Sequence, residues 1–218
     1  MTESVLAQLH RHNIRPNKRL GQHFLVDTQV SEQIALLSEV TVGDRVVEIG
    51  PGVGSLTTGL LRRCGALHAI EPDQQLIPLL QERCSGLGRI TLLIDDALQC
   101  DFAHLNTALG GPLRVVANLP YNISTPLLLH LLEQRHAIQD MTLMFQREVA
   151  DRLVAAPNCK SYGTLSVYCQ LWCDGVRLME VAAAAFYPPP KVISTVVRLT
   201  PRPQPLFPIH DEEWLRRV

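Results

Sequence analysis

The alternation of short apolar runs with helical patterns constrains the fold of this chain more than any other feature. Strand-like runs fall at residues 45–50, 67–72, 90–97, 113–119 and 141–146, with helical patterns at 55–64, 73–84, 124 to about 135, and 147–156. The strand-like runs are apolar on both faces, so they predict a parallel sheet covered by helices on both sides. This is the doubly wound α/β class.

The rhythm changes after Gly175, where strand-like runs at residues 176–182 and 191–200 follow each other without a helix. Two such strands favour an antiparallel hairpin at one sheet edge. A proline-rich linker follows at residues 201–208, and a helical pattern begins after it. We therefore expect one domain over residues 1–200 and, at 201–218, a linker and the truncated start of a small helical C-terminal domain.

Composition excludes several classes of protein. Hydrophobic residues make up 46% and charged residues 19% of the 218 residues, which is typical of a folded globular chain rather than a disordered one. No apolar run approaches the roughly 18 residues that span a membrane, and the N-terminus lacks the apolar core of a signal peptide. The six cysteines form no CxxC pair, which predicts reduced thiols in the cytoplasm and no metal site.

Charge gives a mixed indication about nucleic acid. The net charge of −1 counts against a nucleic-acid partner, since such domains usually carry a basic excess. Residues 10–23, however, contain four arginines or lysines and no acid, within a basic N-terminal arm of about residues 1–24. Such an arm can bind phosphate, although a solvated tail explains the same pattern.

A glycine-rich turn follows the first predicted strand, where doubly wound folds bind nucleotides. Gly50, Gly52 and Gly54 remove side-chain bulk there, so that a ligand can lie against the backbone. The spacing departs from the G-x-G-x-x-G pattern of dinucleotide sites, and a tight turn alone would explain the glycines.

Three acids are predicted beside this turn. Glu71 ends the second strand, where a carboxylate accepts hydrogen bonds from ribose hydroxyls, and Asp96 ends the third, within reach of an adenine amine. Glu48, in the first strand, adds negative charge. So much acid repels a pyrophosphate but suits S-adenosylmethionine, which is cationic and carries no phosphate. The pattern therefore favours this methyl donor over a nicotinamide dinucleotide.

The sequence Asn118-Leu119-Pro120-Tyr121 follows the fourth strand, and it resembles the motif of methyltransferases that modify the exocyclic amine of adenine. Further segments, including NKRLGQHFLVD, EIGPGVGSLT, FQREVADRLVA, SYGTLSV and FYPPPKVISTVVRL, resemble the ribosomal RNA adenine dimethyltransferase family over residues 18–199. Its bacterial branch dimethylates two adjacent adenines near the 3′ end of small-subunit (16S) rRNA. The resemblance implies this activity here.

The motif has a chemical rationale, because the lone pair of an adenine amine is delocalised into the ring. The side-chain oxygen of Asn118 and the carbonyl of Leu119 can accept its hydrogens and direct the lone pair at the methyl group. Pro120 restricts Leu119 to an extended conformation, and Tyr121 offers a face for base stacking. The resemblance implies Phe186 as a second aromatic face and a direct displacement without a covalent intermediate.

The resemblance also implies further contacts. Gln22, His23 and Leu25 should border the donor pocket, together with Gly50, Glu71, Asp96 and Asn118. The bacterial pattern commonly has Asn where this chain has His23, and an imidazole, unlike an amide, can carry a positive charge beside a cationic donor. Predicted RNA-binding residues are Lys18, Arg19, Arg147 and Lys191.

Other functions remain open at this point. A large-subunit rRNA dimethylase of the macrolide-resistance type shares the chemistry, and an adenine-specific DNA methyltransferase shares the type of loop but not the terminal motifs. A ribosome assembly factor that mainly binds immature small subunits is a different class, and the intact catalytic loop counts against a silent binder. We expect a monomer whose partner is small-subunit rRNA in an assembling 30S particle.

Overall fold

The structure, a computed structural model, describes residues 3–209, apart from the side chain of Lys18. Within that range the α-helices are Val5–Arg11 (α1), Thr28–Leu37 (α2), Ser55–Cys64 (α3), Ile77–Cys84 (α4), Phe102–Leu109 (α5), Ser124–Glu133 (α6), Arg147–Leu153 (α7) and Thr164–Trp172 (α8). The strands are Phe24–Leu25 (β1), Arg45–Ile49 (β2), Ala66–Ile70 (β3), Arg89–Leu93 (β4), Leu113–Asn118 (β5), Ile138–Gln146 (β6), Cys173–Val181 (β7), Phe186–Tyr187 (β8) and Ser194–Pro201 (β9).

Seven of the strands form one mixed sheet in the order β4-β3-β2-β5-β6-β9-β7. The pairs from β4 to β6 are parallel, whereas β9 runs antiparallel to both β6 and β7. The predicted doubly wound sheet with an antiparallel edge hairpin is confirmed. The strand order reverses between β2 and β5, and such a switch point is where open α/β sheets place their ligands.

A second, two-stranded sheet joins distant parts of the chain. In it Phe24 pairs with Tyr187 and Leu25 with Phe186, so β1 and β8 are antiparallel. This pairing holds the segment after the basic arm against the segment that precedes β9. No sequence pattern predicted it, because two-residue strands carry no periodicity.

Apolar side chains from both sheet faces build the core. On one face Val47, Val115, Leu143 and Val197 lie in a cluster with residues of α5, α6 and α8, and on the other Val46, Val116 and Met144 pack with residues of α2, α3 and α4. Strands covered on both faces must be apolar at successive positions, which explains the continuous apolar runs of the sequence.

Several boundaries differ from the prediction. The third strand, predicted over 90–97, ends at Leu93 as β4, and Asp96 therefore lies in a turn three residues beyond it. The carboxylates cause this early end, because Asp95 Oδ1 accepts a hydrogen bond from the Asp96 amide at 2.8 Å and Asp96 Oδ1 accepts one from the Leu98 amide at 3.0 Å. Such local bonds compete with strand pairing.

The structure describes only part of the predicted C-terminal segment, residues 201–218. The last strand of the sheet ends at Pro201, beside the predicted domain boundary at residue 200. Residues 210–218, which belong to the predicted helical start of a second domain, lie outside the described residues. No helix in the described part of the chain is long and apolar enough to cross a membrane.

Candidate active site

A cavity of about 220 Å³ opens at the carboxyl ends of β2, β3 and β5, at the switch point of the sheet. Twelve of the predicted site residues line it: Gln22, His23, Leu25, Glu48, Gly50, Gly52, Glu71, Asp96, Asn118, Leu119, Pro120 and Tyr121. The structure thus brings the predicted donor residues and the predicted base-binding loop into one cavity.

Two of the residues predicted to contact the donor or the target base lie outside the lining. A Cβ at Gly54, whose φ is +82°, would approach Leu80 Cδ1 to 2.8 Å, so this glycine permits close packing of α3 against α4. Phe186 is only 3% exposed and lies in the core with Leu25 and Val196. Its function as a second face for the target base stays a prediction.

Glu71 and the glycine turn form a hydrogen-bonded unit. Glu71 Oε2 accepts a bond from the Gly52 amide and Oε1 one from the Asp73 amide, both at 3.0 Å. Burial raises the pKa of this carboxyl, and the two amide donors oppose the shift. Each carboxylate oxygen has a second lone pair, so Glu71 can still accept hydrogen bonds from a ligand.

Gly50 exposes backbone to the cavity. Its φ of +66° is a conformation that favours glycine, and a Cβ built there would meet no atom within 4 Å. A ligand can therefore lie directly against this turn, as the sequence predicted.

Glu48 differs from its predicted state. The sequence suggested a negative charge beside the turn, but the side chain is 1% exposed and its Oε2 has no hydrogen-bond partner among the described residues. Burial raises its pKa to about 8, the nearby Thr57 hydroxyl opposes this shift, and the neighbouring Glu71 adds to it. In the free protein Glu48 is therefore mainly protonated at neutral pH, because burial disfavours the charged form.

The loop after β5 is oriented by contacts from the arm. Asn118 Nδ2 donates to the backbone oxygen of His23 at 3.4 Å, and no described residue donates to Asn118 Oδ1. The amide oxygen is therefore free to accept a hydrogen bond from a ligand, as the prediction requires. Leu119 and Pro120 also line the cavity beside it.

Tyr121 is fixed at both ends of its side chain. Its hydroxyl lies 2.6 Å from Ser194 Oγ in β9, and its ring centroid lies 5.4 Å from that of His23 at an interplanar angle of 33°. Burial raises the pKa of Tyr121, although the Ser194 hydroxyl opposes this. The ring is thus a neutral, positioned face.

His23 connects three segments that are far apart in sequence. Its Nδ1 donates to the Pro188 carbonyl at 2.7 Å, its ring contacts Tyr121, and its backbone oxygen accepts the bond from Asn118. The sequence predicted that His23 borders the cavity, but nothing in the sequence indicated the bond to Pro188.

Gly21, Asn122 and Ser194 were missed by the sequence analysis. Asn122 lines the cavity and donates to the Arg19 carbonyl at 3.4 Å, and a Cβ on Gly21 would approach Asn122 Oδ1 to 2.5 Å. Asn122 directly follows the NLPY motif, and this position could have indicated that it lies at the cavity. No feature of the sequence indicated that Ser194 contacts Tyr121.

The predicted RNA-binding cations lie around this region. Arg19, Arg147 and Lys191 are exposed, and none of their side chains has an ion pair among the described residues. The Arg147 amide donates to the Ile193 carbonyl at 2.9 Å, which places Arg147 next to the segment that carries Lys191. The predicted side chain of Lys18 lies outside the described part.

The profile of the family described as "Ribosomal RNA adenine dimethylase" matches residues 13–218. The chain belongs to this family. The family predicted from the motifs is thus confirmed, and S-adenosylmethionine is its methyl donor.

Proteins named "Ribosomal RNA small subunit methyltransferase A" are similar to this family member over most of its length. The one from Magnetococcus marinus is 50% identical over 210 residues, which are 96% of this chain and 75% of the relative. The one from Pseudomonas aeruginosa is 47% identical over 213 residues, which are 98% of this chain and 78% of the relative.

Two solved structures have a similar fold. A dimethyladenosine transferase from Plasmodium falciparum matches with a TM-score of 0.73 and 31% identity, over 83% of this chain and 64% of that chain. The 23S rRNA methyltransferase ErmE matches with a TM-score of 0.72 and 28% identity, over 89% of this chain and 75% of that chain.

The cavity fits S-adenosylmethionine by its charge. Glu48, Glu71 and Asp96 line it, and no described lysine or arginine does. A dinucleotide pyrophosphate would find no cation there, whereas an ammonium and a sulfonium would find carboxyls. The unpartnered Oε2 of Glu48 is a buried acceptor that a cationic ligand would satisfy.

Proposed function

We propose that this chain transfers methyl groups from S-adenosylmethionine to the N6 amine of two adjacent adenines near the 3′ end of small-subunit rRNA. The observation that carries the proposal is the Asn118–Tyr121 loop, which faces the same cavity as the three acids and presents a free Asn118 Oδ1. The names of the relatives at 47% and 50% identity support the small subunit over the large one.

The residues of the chain supply positioning and electrostatics. When bound, the donor supplies an electrophilic methyl group on its sulfonium. We assign Glu71 to the ribose hydroxyls, Asp96 to the adenine of the donor, and Gly50 and Gly52 to its backbone contacts. Gln22 and Leu25 border the same pocket.

The second half of the cavity would hold the target base. Asn118 Oδ1 and the Leu119 carbonyl accept the two hydrogens of the adenine amine, which directs its lone pair away from the ring. Tyr121 stacks on the base, a contact of about 1–3 kcal/mol. Holding the two reactants in this geometry lowers the barrier without a covalent intermediate.

The RNA would approach over the exposed cations. Arg19, Arg147 and Lys191 have no carboxylate partner among the described residues, so they are available for phosphate. We propose that the substrate is the rRNA of an assembling 30S particle and that the enzyme is a cytoplasmic monomer. Six free cysteines agree with a reducing compartment.

Methyl transfer from radiolabelled S-adenosylmethionine tests the proposal. Unmethylated small subunits, naked small-subunit rRNA and large subunits are compared as acceptors, and we expect label on the small-subunit acceptors alone. Label on large subunits would reassign the chain to the large-subunit reaction that the name of ErmE describes.

A further inference from the structure

Three carboxyl groups line the cavity and no described lysine or arginine does, so no protein cation there balances a charge on Glu48. Glu48 belongs to the central strand β2, and its side chain borders the cavity but is only 1% exposed. Its Oε2 has no hydrogen-bond partner among the described residues. An isolated carboxylate is strongly disfavoured in such a place, so the group keeps its proton unless a cation arrives.

The titratable and polar groups near Glu48 lie after β3 and in α3 and α4, and its partners in the neighbouring strands, Ala69 and Val116, are apolar. These groups are the Glu71 carboxyl after β3, the Thr57 hydroxyl of α3, and the Cys64 and Cys84 thiols of α3 and α4. None is a cation. Burial raises the pKa of both thiols and the nearness of Glu48 adds to this shift, so the thiols stay neutral as well.

We propose that Glu48 couples donor binding to the release of one proton: the carboxyl is neutral in the free protein and ionises when the cationic donor enters the cavity. This inference rests on the proposed function, since it takes S-adenosylmethionine as the ligand. The proton leaves to solvent, and the carboxylate that remains balances the positive charge of the ligand. The raised pKa of Glu48, about 8, agrees with a proton held at neutral pH.

Donor and product should differ in this coupling. S-Adenosylmethionine carries an ammonium and a sulfonium, whereas S-adenosylhomocysteine carries only the ammonium, because methyl transfer turns the sulfonium into a thioether. The product therefore stabilises the Glu48 carboxylate less and releases fewer protons on binding. Preference for donor over product grows as the pH rises from 6 towards 8, which favours exchange of product for donor.

Thermodynamic linkage between proton release and binding limits how strongly pH can change donor affinity. A binding event that releases one proton strengthens by at most about tenfold per pH unit, in the range where only the free protein holds the proton. His23 also lines the cavity, so a variant at this position is needed as a control for the assignment to Glu48.

Isothermal titration calorimetry measures the coupling directly. S-Adenosylmethionine and S-adenosylhomocysteine are each titrated into the protein at pH 7 in two buffers of different ionisation enthalpy, and the difference in heat gives the protons released. We expect a substantial fraction of one proton for the donor and less for the product. Donor binding without proton release in the wild-type protein would overturn the inference.

Three isosteric or near-isosteric variants locate the proton. Glu48→Gln should abolish most of the release, whereas His23→Asn should retain it. Glu71→Gln should retain only part of it, because loss of the Glu71 charge lowers the pKa of Glu48. Release in Glu48→Gln equal to that of the wild type would also overturn the inference. Circular dichroism checks the fold of each variant, and the wild-type titration decides the question if Glu48→Gln does not fold. Failure of the donor to bind at any pH would instead refute the proposed function.

Discussion

Most of the donor half of the cavity comes from one short stretch of chain, to which Gln22, Leu25 and Asp96 are added, whereas the base half draws on three distant stretches. Glu48, the glycine turn and Glu71 lie within 24 residues of each other, in two adjacent parallel strands and their turns. Tyr121 in the base half is held by His23 and by Ser194, which come from opposite ends of the chain.

The two halves also differ in how they are stabilised. Backbone amides donate to Glu71 in the donor half, where Glu48 and Glu71 are buried and Asp96 is exposed. Side-chain contacts hold Tyr121 and His23 in the base half, and both of these side chains are only partly buried. We infer that substitutions in the two halves have separable effects: the donor half determines donor affinity, and the base half determines turnover and RNA recognition.

The largest expected effect is that of Asn118→Ala. Loss of an acceptor that acts mainly in the transition state should lower methyl transfer by about 100-fold or more, as for other preorganised polar groups. The donor dissociation constant should stay near that of the wild type. Single-turnover methylation measures the rate, and calorimetry measures the dissociation constant. Asn106→Ala is the matched control, because the Asn106 side-chain amide donates to the Ala137 carbonyl outside the cavity lining. Unchanged turnover would remove Asn118 from the reaction.

Glu71→Ala should have the next largest effect, and it should weaken donor binding more than it slows methyl transfer. Hydrogen bonds to a charged group contribute about 1.5–3 kcal/mol each, so the donor dissociation constant should rise by about 10- to 100-fold. Because the Gly52 and Asp73 amides also lose their acceptor, Glu71→Gln serves as the milder variant. A donor dissociation constant that does not change in either variant would contradict the assignment.

His23→Ala should break the link between the arm and the Pro188 segment. The loss of one hydrogen bond is expected to raise the KM for RNA by about fivefold, consistent with a net value near 1 kcal/mol. His23→Asn should restore most of the loss, because an amide can also donate to the Pro188 carbonyl. Steady-state kinetics with RNA as the varied substrate checks this, and equal defects in the two variants would count against the link.

Arg147→Ala should have the smallest effect. One phosphate contact fewer weakens RNA binding about threefold at moderate salt and lowers the slope of log affinity against log salt by about 1. Arg152→Ala is the control on the same helix, since Arg152 is exposed but paired with Glu148. RNA binding by filter retention at several salt concentrations gives both values, and identical slopes for the two variants would refute the phosphate contact of Arg147.

The two halves of the cavity also differ in how far the sequence predicts them. The donor half follows from periodicity and from acids at strand ends, because parallel strands bring their carboxyl ends to one edge. The NLPY motif placed Asn118 and Tyr121 by resemblance. The protonation of Glu48 depends on burial, which a sequence does not display. The partner Pro188 depends on the pairing of two-residue strands, and the partner Ser194 on the register of β9 against β6 and β7. Long-range packing was therefore the missing information.

Identification of the methylated nucleoside is the most direct test of the account. Small subunits treated with the enzyme and S-adenosylmethionine are digested to nucleosides and separated by liquid chromatography with mass spectrometry. We expect N6,N6-dimethyladenosine, formed by the wild type and nearly absent with Asn118→Ala. Methyl groups on another base, or on a ribose, would contradict the assignment of the Asn118–Tyr121 loop to an adenine amine.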